Sequence, residues 1–517
     1  MDKTRVLWLT LGFALALAAA GPARAQISSS GDIATNSLNF GALAILTVGN
    51  SSGGASFGIS NGAVLAGLPG SFRVVVGNGT MNNNLSIAGA GSLLHCDEVF
   101  LAGSPGLGQG GSGNQLTIIG GGALEASGGI MLGYADYGSG GNNNSVLVTD
   151  PGSRIYTDSG ISISGSGGSL IVQAGAEVTC DGLGVGEVGG NAGAVSNTII
   201  VTGSGSSIHG GTWGGAVAGF NCSIGDNYSS SNNCLIVGTG ATFALGPGGM
   251  SIASNNTASV QGTLSGAALT TFEGGTLNSS GTVSVGSANL SGILNNSGTW
   301  AVGTDMYLNP NGTLSNSGTV LADRLSWYST SSTSFGSGSI SARTALVRNG
   351  STFTVGDGTN AASYVMLGGT HTFDHGLVTS TNSVLSGCGT ISGSVVNYGT
   401  IILSNGCNLD FSSPVVNYGR ILALNGTPVF HSTFVNNGTF LVNTARITGL
   451  SFNNADVLVQ LNTVSNSLHD VQALGDLSSA VWTPLTNGLL GTGNPMTVTD
   501  QGGATNAQRF YRVLLHY

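Results

Sequence analysis

Lysine is all but missing from this 517-residue chain: Lys3 is the only one, and Asp, Glu, Lys and Arg together make up 7% of it. A nucleic-acid binder needs clustered cations to neutralise phosphate, so that class is excluded. Proline is scarce, at 10 residues, and the 89 glycines follow no strict Gly-X-Y period, which excludes collagen. Low charge combined with 40% apolar residues is the reverse of a disordered composition, so the chain is expected to pack a core. The six cysteines, Cys96, Cys180, Cys222, Cys234, Cys388 and Cys407, match no zinc or haem spacing.

Long apolar runs are absent beyond Ala25, so no helical membrane span is expected in the mature chain. The segment up to Ala25 reads as a secretory signal. Lys3 and Arg5 precede an apolar run from Val6 to Ala20, and Ala23-Arg24-Ala25 offers small residues at the two positions that a signal peptidase inspects. Cleavage before Gln26 would leave 9 basic and 21 acidic residues and an extracellular or cell-surface location. Export permits disulfides: Cys222 and Cys234 flank one loop and could close it, and Cys388 and Cys407 could be bonded or buried side by side.

What is present is repetition. Between about residues 47 and 262, glycines at 49, 77, 103, 133, 165, 186 and 225 each open a unit of a strand end, a polar loop, a strand, a Gly turn and another strand. The turns read GAGS at 89–92, GGGA at 120–123, DPGS at 150–153 and GSGS at 203–206. Counting from them places Cys96, Ser127, Thr157, Cys180 and Gly210 in one tight inward slot, which makes Cys96 and Cys180 space-fillers. From 263 to 449 the period shortens, with turn glycines at Gly281, Gly298, Gly318, Gly399, Gly419 and Gly438, all but the first in an NxG turn. Such periods, rich in β-branched residues and without helical patterning, predict an all-β chain. The architecture expected is a right-handed parallel β-helix, residues 26–262 and 263–449. The asparagines of the NxG turns should stack at one corner of successive coils. Residues 450–517 break the pattern and predict a small antiparallel β module.

The long units, with a VGN- or LG-type strand end, a Gly/Asn loop, LxI or VxV and then GxGS, resemble the repeats of type V secretion and PEP-CTERM-associated β-helix proteins. The NxGT units resemble autotransporter passenger domains. The tail from His469 to Val513 resembles C-terminal modules of exported proteins of Verrucomicrobia-like bacteria. This resemblance implies a surface or secreted protein. The chain departs from its namesakes, because the stretch from 450 to 517 is too short for a membrane barrel and no Pro-Glu-Pro sorting tail is present.

The sequence offers little for catalysis, and no catalytic, metal-binding or cofactor-binding residue is assigned. His371 and His375 lie four positions apart on what reads as a strand, about 13 Å and too far for one ion, so both are expected at a solvent-facing edge. Length varies at one repeat position only, directly after the opening glycines. The inserted loops should therefore leave one edge, and they carry Tyr134, Asp136, Tyr137, Asp226 and Tyr228. Rings beside amides and carboxylates suit sugars, so these residues are the expected contacts for an extracellular glycan. The leading expectation is a structural or adhesin-like surface protein, and the alternative is a β-helix that binds or degrades polysaccharide.

Overall fold

The computed structural model describes residues 25–38, 43–67, 70–103, 110–133, 141–186, 194–210, 221–225, 230–330, 334–404, 406–424, 426–442, 445–463, 468–478, 481–492 and 494–516. Apart from one 3-10 turn at Gly503–Thr505, their regular structure is all strand. No helix among them is long and apolar enough to cross a membrane. The chain divides into two compact units, one running to residue 333 and including 338–340, the other made of 334–337 and 341–517.

The first unit is a parallel β-helix. One coil comprises Asn84–Ala88, Leu93–Cys96 and Glu98–Leu101, and the next Gln115–Ile119, Ala123–Ala126 and Ile130–Leu132, each strand paired in parallel with its counterpart. Side chains alternate in and out with the pleat. Leu85, Leu116, Val146, Leu170, Ile199 and Leu235 thus form one fully buried column. Each such residue contributes roughly 1.5–3 kcal/mol by burial. At the N-terminal end, Gln26–Ser30 and Ile33–Leu38 run antiparallel to their partners, which ends the parallel stack there.

The GxGS turns are built from the serine. Ser92, Ser153 and Ser206 are buried, and their hydroxyls accept the backbone N–H of Gly62, Gly121 and Gly175 in the preceding coil. The tight inward slot holds Cys96, Ala126 and Thr157 in register. Ala126 rather than Ser127 fills it, because Gly122 takes the serine's place in the second turn and Ala123 already starts the strand. Burial pushes the Cys96 thiol far up and the Cys180 thiol up to about 12, which leaves both as packing groups.

From Thr263 the two strands after each turn fuse into one long strand, as in Thr263–Thr271, Thr282–Leu290 and Thr299–Leu308. In these coils of the first unit one corner disappears and a short turn, 272–275, 291–292 or 309–312, stands where the long loop was, so the repeat contracts.

The second unit contains a shorter parallel array. Its three-residue strands Val395–Asn397, Val415–Asn417 and Phe434–Asn436 stack in register. Asn397 donates to Asn417 at 2.7 Å and Asn417 to Asn436 at 2.6 Å, which is the corner ladder that the NxG turns imply. Cys388 and Cys407 are joined by a disulfide between neighbouring coils. Cys222 and Cys234 are not bonded to each other: Cys222 faces the interior, and Cys234 stands on the outward row of a different sheet. Replacing both Cys388 and Cys407 with Ala should cost about 3 kcal/mol, the loop-closure value for a bridge of this span. Urea unfolding of this unit should then lose its sensitivity to reductant.

Beyond the array, Arg446–Asn453, Asp456–Asn462 and Pro495–Asp500 form one antiparallel sheet, and Thr483–Leu490, Leu468–Leu474 and Phe510–His516 another. Val457, Val459, Leu461 and Val471 fill the core between them. The expected antiparallel module is present.

Candidate functional site

The expected contact residues Tyr134, Asp136, Tyr137, Asp226 and Tyr228 lie outside the described residues. The anchors of their loops are described. Val48, Val76, Leu101, Leu132, Ile163, Val185 and Ile224, which end the strands before the loops, occupy one register position on successive parallel strands. The glycines that follow at 77, 103, 133, 186 and 225 have φ between 75° and 94°, a left-handed conformation that glycine adopts without strain.

The other end of each loop is held by asparagine. Asn83, Asn114, Asn144, Asn197, Asn233 and Asn256 each stand one residue before a strand, and all are 1% exposed or less. The amide of Asn83 donates to Asn114 at 2.8 Å, that of Asn114 to Asn144 at 3.1 Å, that of Asn197 to Asn233 at 3.0 Å and that of Asn233 to Asn256 at 2.9 Å. Each receiving oxygen also accepts the backbone N–H of the asparagine before it, as in Asn197 N–H to Asn233 at 3.0 Å. Gly168 replaces asparagine in one coil, where an added Cβ would lie 2.6 Å from the Ile163 methyl. The opening glycines face this column: a Cβ on Gly186 or Gly225 would sit 2.4 or 2.2 Å from the amide nitrogen of Asn233 or Asn256. Both ends of the loops after Gly77, Gly103, Gly133, Gly186 and Gly225 are therefore pinned at one corner of the coils.

A second feature is not visible in the sequence. Adjacent strands Leu93–Cys96, Ala123–Ala126, Arg154–Thr157, Glu177–Cys180 and Ser207–Gly210 bring His95, Glu125, Arg154, Glu177 and His209 onto one outward face. Glu125 lies 3.5 Å from His95 and 3.4 Å from Arg154, and Glu177 lies 4.0 Å from His209. Tyr156 stands among them and donates to Asp158 at 2.5 Å. Desolvation, the bond to Asp158 and the charges of Asp158, Asp181 and Glu125 push its phenol well above the usual range, so it remains a neutral donor. Pairs with side chains a third to a half exposed contribute at most about 1 kcal/mol each, so this clustering is not a device for stability. No group of three His, Cys, Asp or Glu able to hold a metal occurs among the described residues.

His371 departs from expectation. It is fully buried, with Nδ1 2.9 Å from the Tyr364 hydroxyl and Nε2 3.0 Å from the Gly368 carbonyl, while His375 is exposed. The long strand Ala362–Phe373 turns His371 inward, against an aromatic cluster of Phe353, Tyr364 and Phe373. Burial holds its pKa down to about 4. The unfolded chain, with a pKa near 6.5, binds the proton first, so stability falls as pH drops from about 6.5 towards 4, by about 3 kcal/mol in all. Urea unfolding at pH 7 and pH 4.5 should show this slope, and the His371→Leu variant, weaker overall, should show a shallower one.

No family model matches the chain, and no curated protein proved similar to it.

Proposed function

We propose that this is an extracellular or cell-surface scaffold, adhesin-like and non-catalytic, which displays variable loops from one edge of a parallel β-helix for contact with glycans or other surface components. The observation that carries this reading is the pinning of the loops after Gly77, Gly103, Gly133, Gly186 and Gly225 between a left-handed glycine and a buried asparagine. That arrangement keeps the scaffold constant and leaves the loop length and sequence free. The disulfide suits an oxidising compartment, in keeping with a signal peptide at residues 1–25. The mass of the exported protein should correspond to a chain that starts at Gln26. Replacing Tyr134, Tyr137 and Tyr228 together with Ala should leave the circular-dichroism spectrum unchanged and weaken retention on glycan arrays or cells. Unchanged retention would remove the loops from the account.

A second reading, a β-helix that acts on polysaccharide, draws support from the ionisable groups gathered around Arg154 and Tyr156. Under that reading Glu125→Gln would abolish turnover of a polysaccharide without changing the fold.

A further inference from the structure

The late coils of the first unit carry a surface of a different chemistry. A shallow groove of about 240 Å³ runs across the strands Thr257–Val260, Thr276–Ser279, Ile293–Asn296 and Thr313–Asn316 and the turns that follow them. Small-molecule pockets span roughly 300–1,000 Å³, so this groove cannot enclose such a ligand and suits one that lies along it. Its outward row is Ser259, Asn278, Asn295 and Ser315, one residue per coil in unbroken parallel register. Asn295 donates to Asn278 at 2.8 Å, which orients the two amides and leaves further donor and acceptor sites open. On the turns, Ser280, Ser297 and Ser317 repeat at the same position.

A second row of hydroxyls flanks the groove. Beyond the turns, Thr263, Thr282, Thr299 and Thr319 form an exposed row in register on the adjoining sheet. Hydroxyls and amides thus repeat along the coil axis at the inter-strand spacing of about 4.8 Å. No ionisable side chain lines the groove.

We infer that this surface is a binding site for a linear, uncharged polysaccharide lying parallel to the coil axis. A polymer that repeats its own hydroxyls matches a wall that repeats its donors and acceptors, and an uncharged wall gives a polyuronate nothing to pair with. The inference names a ligand class within the scaffold reading above, but it rests on a site separate from the variable loops.

The test uses the full exported chain and a panel of neutral gluco-, manno-, xylo- and galacto-oligosaccharides of two to eight units, with polygalacturonate as the charged comparison. Calorimetry should find at least one neutral series whose affinity rises tenfold or more between dimer and hexamer. Its affinity should change less than twofold between low and high salt, because no ion pair is involved. The Asn278→Leu/Asn295→Leu variant should lose at least tenfold in affinity, and Thr282→Val/Thr299→Val should also weaken binding. Both alter exposed or half-exposed positions, so circular dichroism should match the parent. No neutral series bound, affinity independent of length, or polygalacturonate bound in a salt-sensitive way would each overturn the inference. Because the salt and length series are measured on the unaltered protein, a variant that fails to fold does not blunt the test. Loss of binding in the tyrosine loop variant with the groove intact would separate the two sites.

Discussion

Asn233→Leu should destabilise the long-repeat coils of the first unit by about 3 kcal/mol or more, because it strands several buried polar groups at roughly 1–3 kcal/mol each. The Asn233 side chain accepts from the Asn197 backbone and amide, both at 3.0 Å, and donates to Ala194 at 3.0 Å and Asn256 at 2.9 Å. Leucine matches the volume but leaves the Asn197 donors and the Ala194 carbonyl without partners in a dry interior. The comparison is Asn295→Leu, which breaks one exposed amide pair and should cost less than about 1 kcal/mol. Native-state hydrogen exchange should show lost protection across the coils that flank Asn233 and none in the second unit. Equal effects of the two substitutions would mean that the asparagine column is ornamental and that inward aliphatic packing alone sets the register.

Asp500→Ala should unfold the C-terminal module selectively, at a cost of about 3 kcal/mol. Asp500 is 3% exposed and accepts from Arg509 Nε at 2.7 Å, Arg509 Nη2 at 3.0 Å and the Tyr511 hydroxyl at 2.9 Å. Removal of one member of a buried ion pair costs about 3–5 kcal/mol because the other charge is stranded. Arg509 retains some contact with water, which places the expectation at the lower end. Asp500→Asn keeps an acceptor but not the charge, and should fall between the two. Exchange across residues 446–516 should accelerate while the parallel coils hold. A uniform loss through the whole second unit would show that the module and the array unfold together.

The repeats make the fold legible. Glycine spacing, the GxGS turns and the NxG ladder each point to one coil per repeat, and the coils follow that register except at Ala126, where a glycine replaces the turn serine. The asparagine column is harder to see, because asparagine in a Gly/Asn-rich loop reads as any turn residue. Its signal is present: Asn83, Asn114, Asn144, Asn197, Asn233 and Asn256 all stand directly before a strand. The charged face cannot be read at all. His95, Glu125, Arg154, Glu177 and His209 lie about one coil apart, and unequal loops hide that alignment until the strands are paired. His371 escapes the sequence for another reason: the inward parity set by Tyr364 and Met366 switches at an irregularity between Leu367 and Thr370, which puts His371 and Phe373 inside.

If the chain displays surfaces and carries out no chemistry on what it holds, it should retain polymers without shortening them. Incubation of the exported protein with a panel of neutral and acidic polysaccharides, followed by pull-down and by sizing of the polymer, tests this most directly. The expected result is retention of at least one neutral polymer at unchanged chain length. Shortening of any polymer that is lost in the Glu125→Gln variant would contradict the account and make the charged face a catalytic site.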